Sequence, residues 1–190
     1  MPLLYWHGLN PFGALELNEA GSAWAGRGFQ VVGFAALGIA DDETFNLSAY
    51  RPSRLAELIV ETADELELEH FAFVGWSWGA SIGVHLAVRY GGLVAALVLL
   101  DAGHTDLPGD SERSLEVVLG ELSSQQERYR FESWEAFLVK LGQAQIPVLL
   151  VLAAQNDTID ETERFRRAVP QAEVALVGDW LLSARPYFAA

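Results

Sequence analysis

A chain of 190 residues that is 51% apolar has the length of one domain and enough apolar mass to bury a core, which argues against intrinsic disorder. Its 26 acidic and 12 basic residues leave a net charge of −14, the wrong sign for neutralising nucleic-acid phosphates or for a polybasic membrane anchor. It has no cysteine, which excludes disulfides, a thiolate metal site and a cysteine nucleophile.

In chain order, residues 3–6 (LLYW) form a short apolar run that predicts a strand, closed by the loop His7-Gly8-Leu9-Asn10. Residues 1–6 are too short and lack the basic start of a leader. Residues 30–34 (QVVGF) predict a second strand. Residues 51–68 place Leu55, Leu58, Ile59, Ala63 and Leu66 at helical spacing, with acidic residues opposite and Pro52 suited to a first turn. Residues 71–74 (FAFV) predict a strand, and 80–90 a helix apolar nearly all round and therefore buried. Residues 93–100 (LVAALVLL) predict a fully buried strand, far short of the ~20 residues that span a bilayer. Residues 111–142 predict a long helical stretch, broken near Ser123-Ser124, whose aromatics Tyr129, Phe131, Trp134 and Phe137 should be buried. Residues 147–154 (PVLLVLAA) predict another buried strand, and 158–169 a polar helix stopped by Pro170. Strands alternating with helices, several of them apolar throughout, predict a mostly parallel sheet with helices on both faces. Ligands are then expected at the C-terminal ends of the strands. Without a repeat or linker, residues 1–190 read as a single domain, with a short lid-like helical segment about 105–145.

Between the predicted strand 71–74 and helix 80–90 stands Gly75-Trp76-Ser77-Trp78-Gly79. A serine hydroxyl needs exposure, a base and donors for an oxyanion before it acts as a nucleophile. A G-x-S-x-G strand-to-helix turn supplies the exposure, because its glycines allow a sharp reversal with the serine at the apex. The competing reading is a plain turn in which Ser77 only caps the helix. The loop after the first strand would supply the Leu9 backbone N–H as one oxyanion donor, with that of Trp78 as the other. His7 itself reads as a packing residue bonded to backbone. The indoles of Trp76 and Trp78 read equally as pocket walls or as core.

The order of a strand, HGLN, a second strand, a helix, FVGWSWGAS, LVLLDAGH and IPVLLVLAAQND resembles the α/β-hydrolase superfamily over residues 2 to about 170. The resemblance implies a serine-nucleophile hydrolase acting on an ester or related acyl substrate, chemistry that needs no cofactor. The charge and short apolar runs read as a cytoplasmic protein with no nucleic-acid or membrane partner, and the scattered histidines as no metal site. It implies Ser77 as nucleophile and Asp157 as triad acid, with Asp101 at the place some members use instead. Ser rather than Asp in the elbow favours acyl chemistry over the halide or epoxide opening of related enzymes. The family's base is a histidine after the last strand. The histidines here are His7, His70, His85 and His104, all before Asp157. His104, beyond the strand at 93–100, is the candidate base, and the competing, favoured reading is an exposed loop histidine. His70 belongs at the opposite edge and His85 on the buried helix. The tail supports two readings. In one, 173–177 is the last strand and Asp179 replaces the histidine. In the other, which the spacing of Val174, Val177 and Leu181 favours, 174–183 is already the closing helix and the histidine loop is absent. A chain without a base would be a non-catalytic ligand- or partner-binding relative, which is the alternative function.

Overall fold

The computed structural model describes residues 1–8, 13–34, 45–46, 52–102, 112–113, 132–153 and 158–177. The elements in chain order are β1 (Pro2–Trp6), α1 (Gly13–Ala25), β2 (Gln30–Phe34), β3 (Phe45–Asn46), α2 (Pro52–Glu65), β4 (Phe71–Trp76), α3 (Trp78–Tyr90), β5 (Val94–Leu100), β6 (Glu112–Arg113), α4 (Glu132–Gln143), β7 (Val148–Ala153), α5 (Thr158–Ala168) and β8 (Ala172–Val177).

Six strands form one sheet in the order β2-β1-β4-β5-β7-β8. Every pairing in it is parallel. Parallel neighbours need crossovers, and those crossovers place helices on the sheet faces. Alternation along the strands sorts side chains to the two faces. Leu4, Trp6, Phe71, Phe73, Leu97 and Leu99 point into a large core with residues of α2, α3, α4 and α5. Leu3, Tyr5 and Val74 point the other way, where Leu17 and Trp24 of α1 pack on them. Helices therefore lie on both faces. At Gly33 a Cβ would come within 2.1 Å of the Leu17 side chain, so the missing side chain lets α1 settle against β2.

Several expectations change in detail. In α2 the buried residues are Pro52, Leu55, Ala56, Ile59 and Ala63. Leu58 and Leu66 are 40% and 45% exposed, because the helix buries only a narrow stripe against α3. β5 is not buried throughout. Its pairing with β4 skips from Phe71↔Val94 to Ala72↔Ala96, which leaves Ala95 as an extra, exposed residue at a bulge. Within the stretch 111–142, Glu112–Arg113 pairs antiparallel with Phe45–Asn46 and is not helical, and the helix among the described residues is Glu132–Gln143. Phe137 of α4 packs half-buried on the core. Tyr129 and Phe131 lie outside the described residues.

The favoured reading of the tail is overturned. Residues 172–177 are a strand, in register with β7 from Val148↔Ala172 to Ala153↔Val177. Over six residues, apolar spacing does not separate a helix from a strand. Here the decisive partner is β7, which supplies the backbone hydrogen bonds. The inference that the histidine loop is absent rested on the helix reading and falls with it. Asp179 is then the second residue beyond β8, outside the described residues. Among the described residues no helix is long and apolar enough to cross a membrane.

Candidate active site

All six strands run the same way, so β1, β4, β5, β7 and β8 deliver the chain to one edge at His7, Ser77, Asp101, Ala153 and Val177. Ser77 sits between the last residue of β4 and the first of α3, with φ 50° and ψ −108°. This is a left-handed conformation that non-glycine residues rarely adopt, and such strain costs on the order of 1–3 kcal/mol. The Ser77 N–H donates to Leu100 O at 2.8 Å and its C=O accepts from the Ala80 N–H at 3.0 Å. These bonds tie the turn to β5 on one side and to α3 on the other. The Ser77 side chain makes no capping hydrogen bond. The reading of Ser77 as a mere helix cap loses its basis, since a cap would recover ~0.5–2 kcal/mol. The turn holds a half-buried serine in a strained backbone without using its hydroxyl for the helix.

Both flanking glycines are required by space. A Cβ on Gly75 would stand 2.2 Å from Gly79 O, and one on Gly79 would stand 2.2 Å from Trp6 O. No rotation of a side chain relieves a clash with backbone, so the elbow closes only when both positions lack a Cβ.

Asp101 occupies the matching place at the end of β5. It also has positive φ (48°), is half-buried, and its N–H donates to Val151 O at 2.8 Å. The strained Asp101 directly follows Leu100, the residue whose carbonyl holds Ser77. Sequence reading named Asp101 as an alternative acid but had no signal for its backbone strain.

The histidines separate clearly. His7 is buried at 2% exposure, and its Nδ1 donates to Gly8 O. Burial pushes its pKa below the ordinary 6.5, with the bond to Gly8 opposing the shift. The ring is therefore neutral near pH 7, with its proton on Nδ1. His70 lies in the turn before β4, seven residues before Ser77. At ~3.3 Å per strand residue that is the opposite edge of the sheet. His85 is on α3, its ring 4.4 Å from that of Phe137. Leu9, His104, Asp157 and Asp179 lie outside the described residues.

The two indoles of the elbow have different places. Trp78 is fully buried and meets Trp6 edge-on, with centroids 6.1 Å apart at 85°. Trp6 in turn stacks on Phe34 at 5.1 Å. Trp78 is a core residue. Trp76 is 9% exposed at the sheet edge, beside Gly8.

A parallel α/β sheet with a strained serine elbow at its C-terminal edge defines a class, and sequence comparison agrees with it. The family model for the alpha/beta hydrolase fold matches residues 2–133, and the chain belongs to that family. No curated protein matches this sequence. Among solved structures, a carboxylesterase of Nitrososphaera gargenis superposes with a TM-score of 0.69 at 12% identity, over 99% of this chain and 86% of that one. A proline iminopeptidase of Mycobacterium smegmatis gives 0.67 at 13% identity, over 100% and 87%. The thioesterase domain from the curacin biosynthetic pathway gives 0.64 at 18% identity, over 94% and 84%. At these identities the likeness is one of fold.

Proposed function

We propose that this α/β hydrolase is a serine hydrolase of esters or related small acyl substrates, with Ser77 as its nucleophile. The observation that carries the reading is the backbone of Ser77. A half-buried serine is held at φ 50° without capping its helix, between glycines that admit no Cβ. Strain of this kind is kept where a reactive group must be presented. The names of the esterase, the thioesterase and the iminopeptidase are consistent with acyl transfer at such a serine.

In this reading Ser77 Oγ attacks the acyl carbon and gives up its proton to a base. The carbonyl oxygen becomes an oxyanion, held by the backbone N–H groups of Leu9 and Trp78, each worth roughly 3 kcal/mol in the transition state. Collapse expels the alcohol, thiol or amine, which takes the proton back from the base. Water activated by the same base then releases the acid and frees Ser77. Asp157, four residues beyond β7, is the proposed acid that orients the base. His104 is the proposed base. It stands three residues after Asp101, and β5 is bonded to the elbow through Leu100. No cofactor enters these steps. Residues 1–190 would form one domain with a lid-like segment about 105–145, acting on a small molecule in the cytoplasm.

A fluorophosphonate probe should label Ser77 in the intact protein, and Ser77→Ala should abolish the labelling. Equal behaviour of the two proteins sinks the proposal. The second reading, a ligand-binding relative without turnover, is favoured by the placement of the histidines. His7 is buried and bonded to backbone, His70 lies at the far edge, and His85 packs on Phe137. Loss of a triad base costs on the order of 10⁶ in turnover. Saturable ligand binding that survives Ser77→Ala, with no hydrolysis, would favour it. His104→Ala separates the two readings: it should stop hydrolysis in the first and leave binding intact in the second.

A further inference from the structure

The edge of the sheet opposite Ser77 carries charges that the fold itself does not pair. Strands begin there, and the helices that cross between them end there. Along one face α2 lies against α3, α3 against α4, and α4 against α5. The last turns of α3, α4 and α5 hold Arg89, Lys140, and Arg166 with Arg167, the charge that a helix C-terminus favours. α2 is the exception. Its last turn has no basic residue and holds Asp64 and Glu65, followed in the turn to β4 by Glu67 and Glu69. These carboxylates are exposed, and among the described residues none of them makes an ion pair. The dipole of α2 disfavours negative charge at this end, so the end lacks the compensation that the other three helices have.

A basic end lies on the far side of the same edge. α4 and α5 finish together, since a Cβ on Gly142 would stand 2.3 Å from Ala168 O. Lys140, Arg166 and Arg167 are exposed, and they too make no ion pair among the described residues. An apolar side chain sits beside each charged end. Leu66, between Glu65 and Glu67, is 45% exposed, and Val139, next to Lys140, is 49% exposed. With ~8–10 Å between packed helices, α2 stands roughly 24–30 Å from α5. That is the breadth of an interface of ~800 Å² per partner.

We infer that this edge is an interface between two copies of the chain, related by a two-fold axis. Such an axis brings one patch onto its own copy. The acidic end of α2 in one copy then meets the basic ends of α4 and α5 in the other, and the reverse contact forms at the same time. Leu66 and Val139 supply the apolar contact, and the charges set the register. The net charge of −14 on each chain opposes association at a distance. At physiological salt the Debye length is ~8 Å, so charges elsewhere on the surface are screened and those facing across the interface decide the pairing. The elbow lies at the other edge, so both copies of Ser77 face away from the interface.

Sedimentation velocity of the full chain between about 1 and 100 μM should show a species of twice the monomer mass that grows with concentration. Two charge-reversed variants then locate the contact. Asp64→Lys with Glu65→Lys and Glu67→Lys makes the α2 end basic, and Lys140→Glu with Arg166→Glu and Arg167→Glu makes the α4 and α5 ends acidic. Each variant alone should associate at least about tenfold more weakly than wild type, because like charges then face each other. Mixed in equal amounts, the two should pair with one another, since both contacts are again between opposite charges. A wild-type chain that stays monomeric over the whole range overturns the inference and leaves the edge to solvent or to a different protein. A dimer indifferent to both sets of reversals overturns it too, as does a mixture of folded variants that does not pair. If either triple variant fails to fold, Val139→Glu decides instead, because it sets a carboxylate against the acidic end of α2 in the partner. A folded Val139→Glu protein that dimerises like wild type overturns the inference.

Discussion

At the scale of single residues, three glycines around the elbow differ sharply in what they tolerate. Gly75 and Gly79 each face backbone oxygen at 2.2 Å from a built Cβ, whereas Gly8 meets its nearest atoms at 3.5 Å. Gly75→Ala and Gly79→Ala should each cost at least ~1–3 kcal/mol, the usual penalty of overpacking, while Gly8→Ala should fold with near-native stability. Urea unfolding of the three variants measures this, and equal stability of Gly79→Ala and wild type would contradict the elbow geometry. His7 adds a pH dependence. Its folded pKa lies below 6.5 because burial disfavours the imidazolium. Its contribution to stability is whole above that value. It falls as acid protonates the unfolded chain first, and is lost once the pH passes below the folded pKa. Between pH 7 and pH 5 the wild type should lose more stability than His7→Gln, read as the difference in urea midpoints.

At the scale of elements, α2 shows how a stripe narrows when it meets a real surface. Leu55 is 5% exposed against the core and Leu58 40% exposed, although both fit the helical period. Leu55→Ala should cost ~2–5 kcal/mol, and Leu58→Ala under ~1 kcal/mol. Comparable costs from denaturant melts would restore the broader stripe. The ion pairs of this region are Arg54 to Glu57 and Glu61, within α2, and Arg89 to Glu57, which joins α3 to α2; all lie on exposed surface, where solvent screening leaves them little weight. α3 is buried along most of its length, from Trp78 to Ala87. Its start fixes the elbow, so packing and site geometry share the same helix.

At the scale of the molecule, the sheet has a protected middle and two flanks. β4 and β5 are paired on both sides and covered by α3, whereas β2 and β8 end the sheet among the described residues. Amide exchange should be slowest in β4 and β5 and faster in β2 and β8, because opening an edge exposes less apolar surface. Uniform protection across the sheet would mean that the edges are covered more fully than the described residues show. The central strands also carry Ser77 and Asp101 at their ends, so the strained positions sit on strands paired on both sides. A net charge of −14 bears on solubility, not on architecture.

By itself the sequence determined the alternation of strands and helices, the parallel sheet and the serine elbow. Each rests on local pattern: apolar runs in 71–74 and 147–154, helical spacing in 51–68, and glycines two residues either side of Ser77. The tertiary structure decided what local pattern leaves degenerate. Residues 172–177 became a strand because β7 offers a ladder, and α1, whose 13 residues carried no clear apolar period, became a helix that packs on Leu3, Tyr5 and Val74. Trp78 went into the core and Trp76 to the edge because the chain turns at Ser77, between the last residue of β4 and the first of α3. The strain at Asp101 and the nearness of Gly8 to the elbow arise where strands distant in sequence end side by side. Spacing along a chain does not encode such meetings, because they depend on which strands pair and in what register.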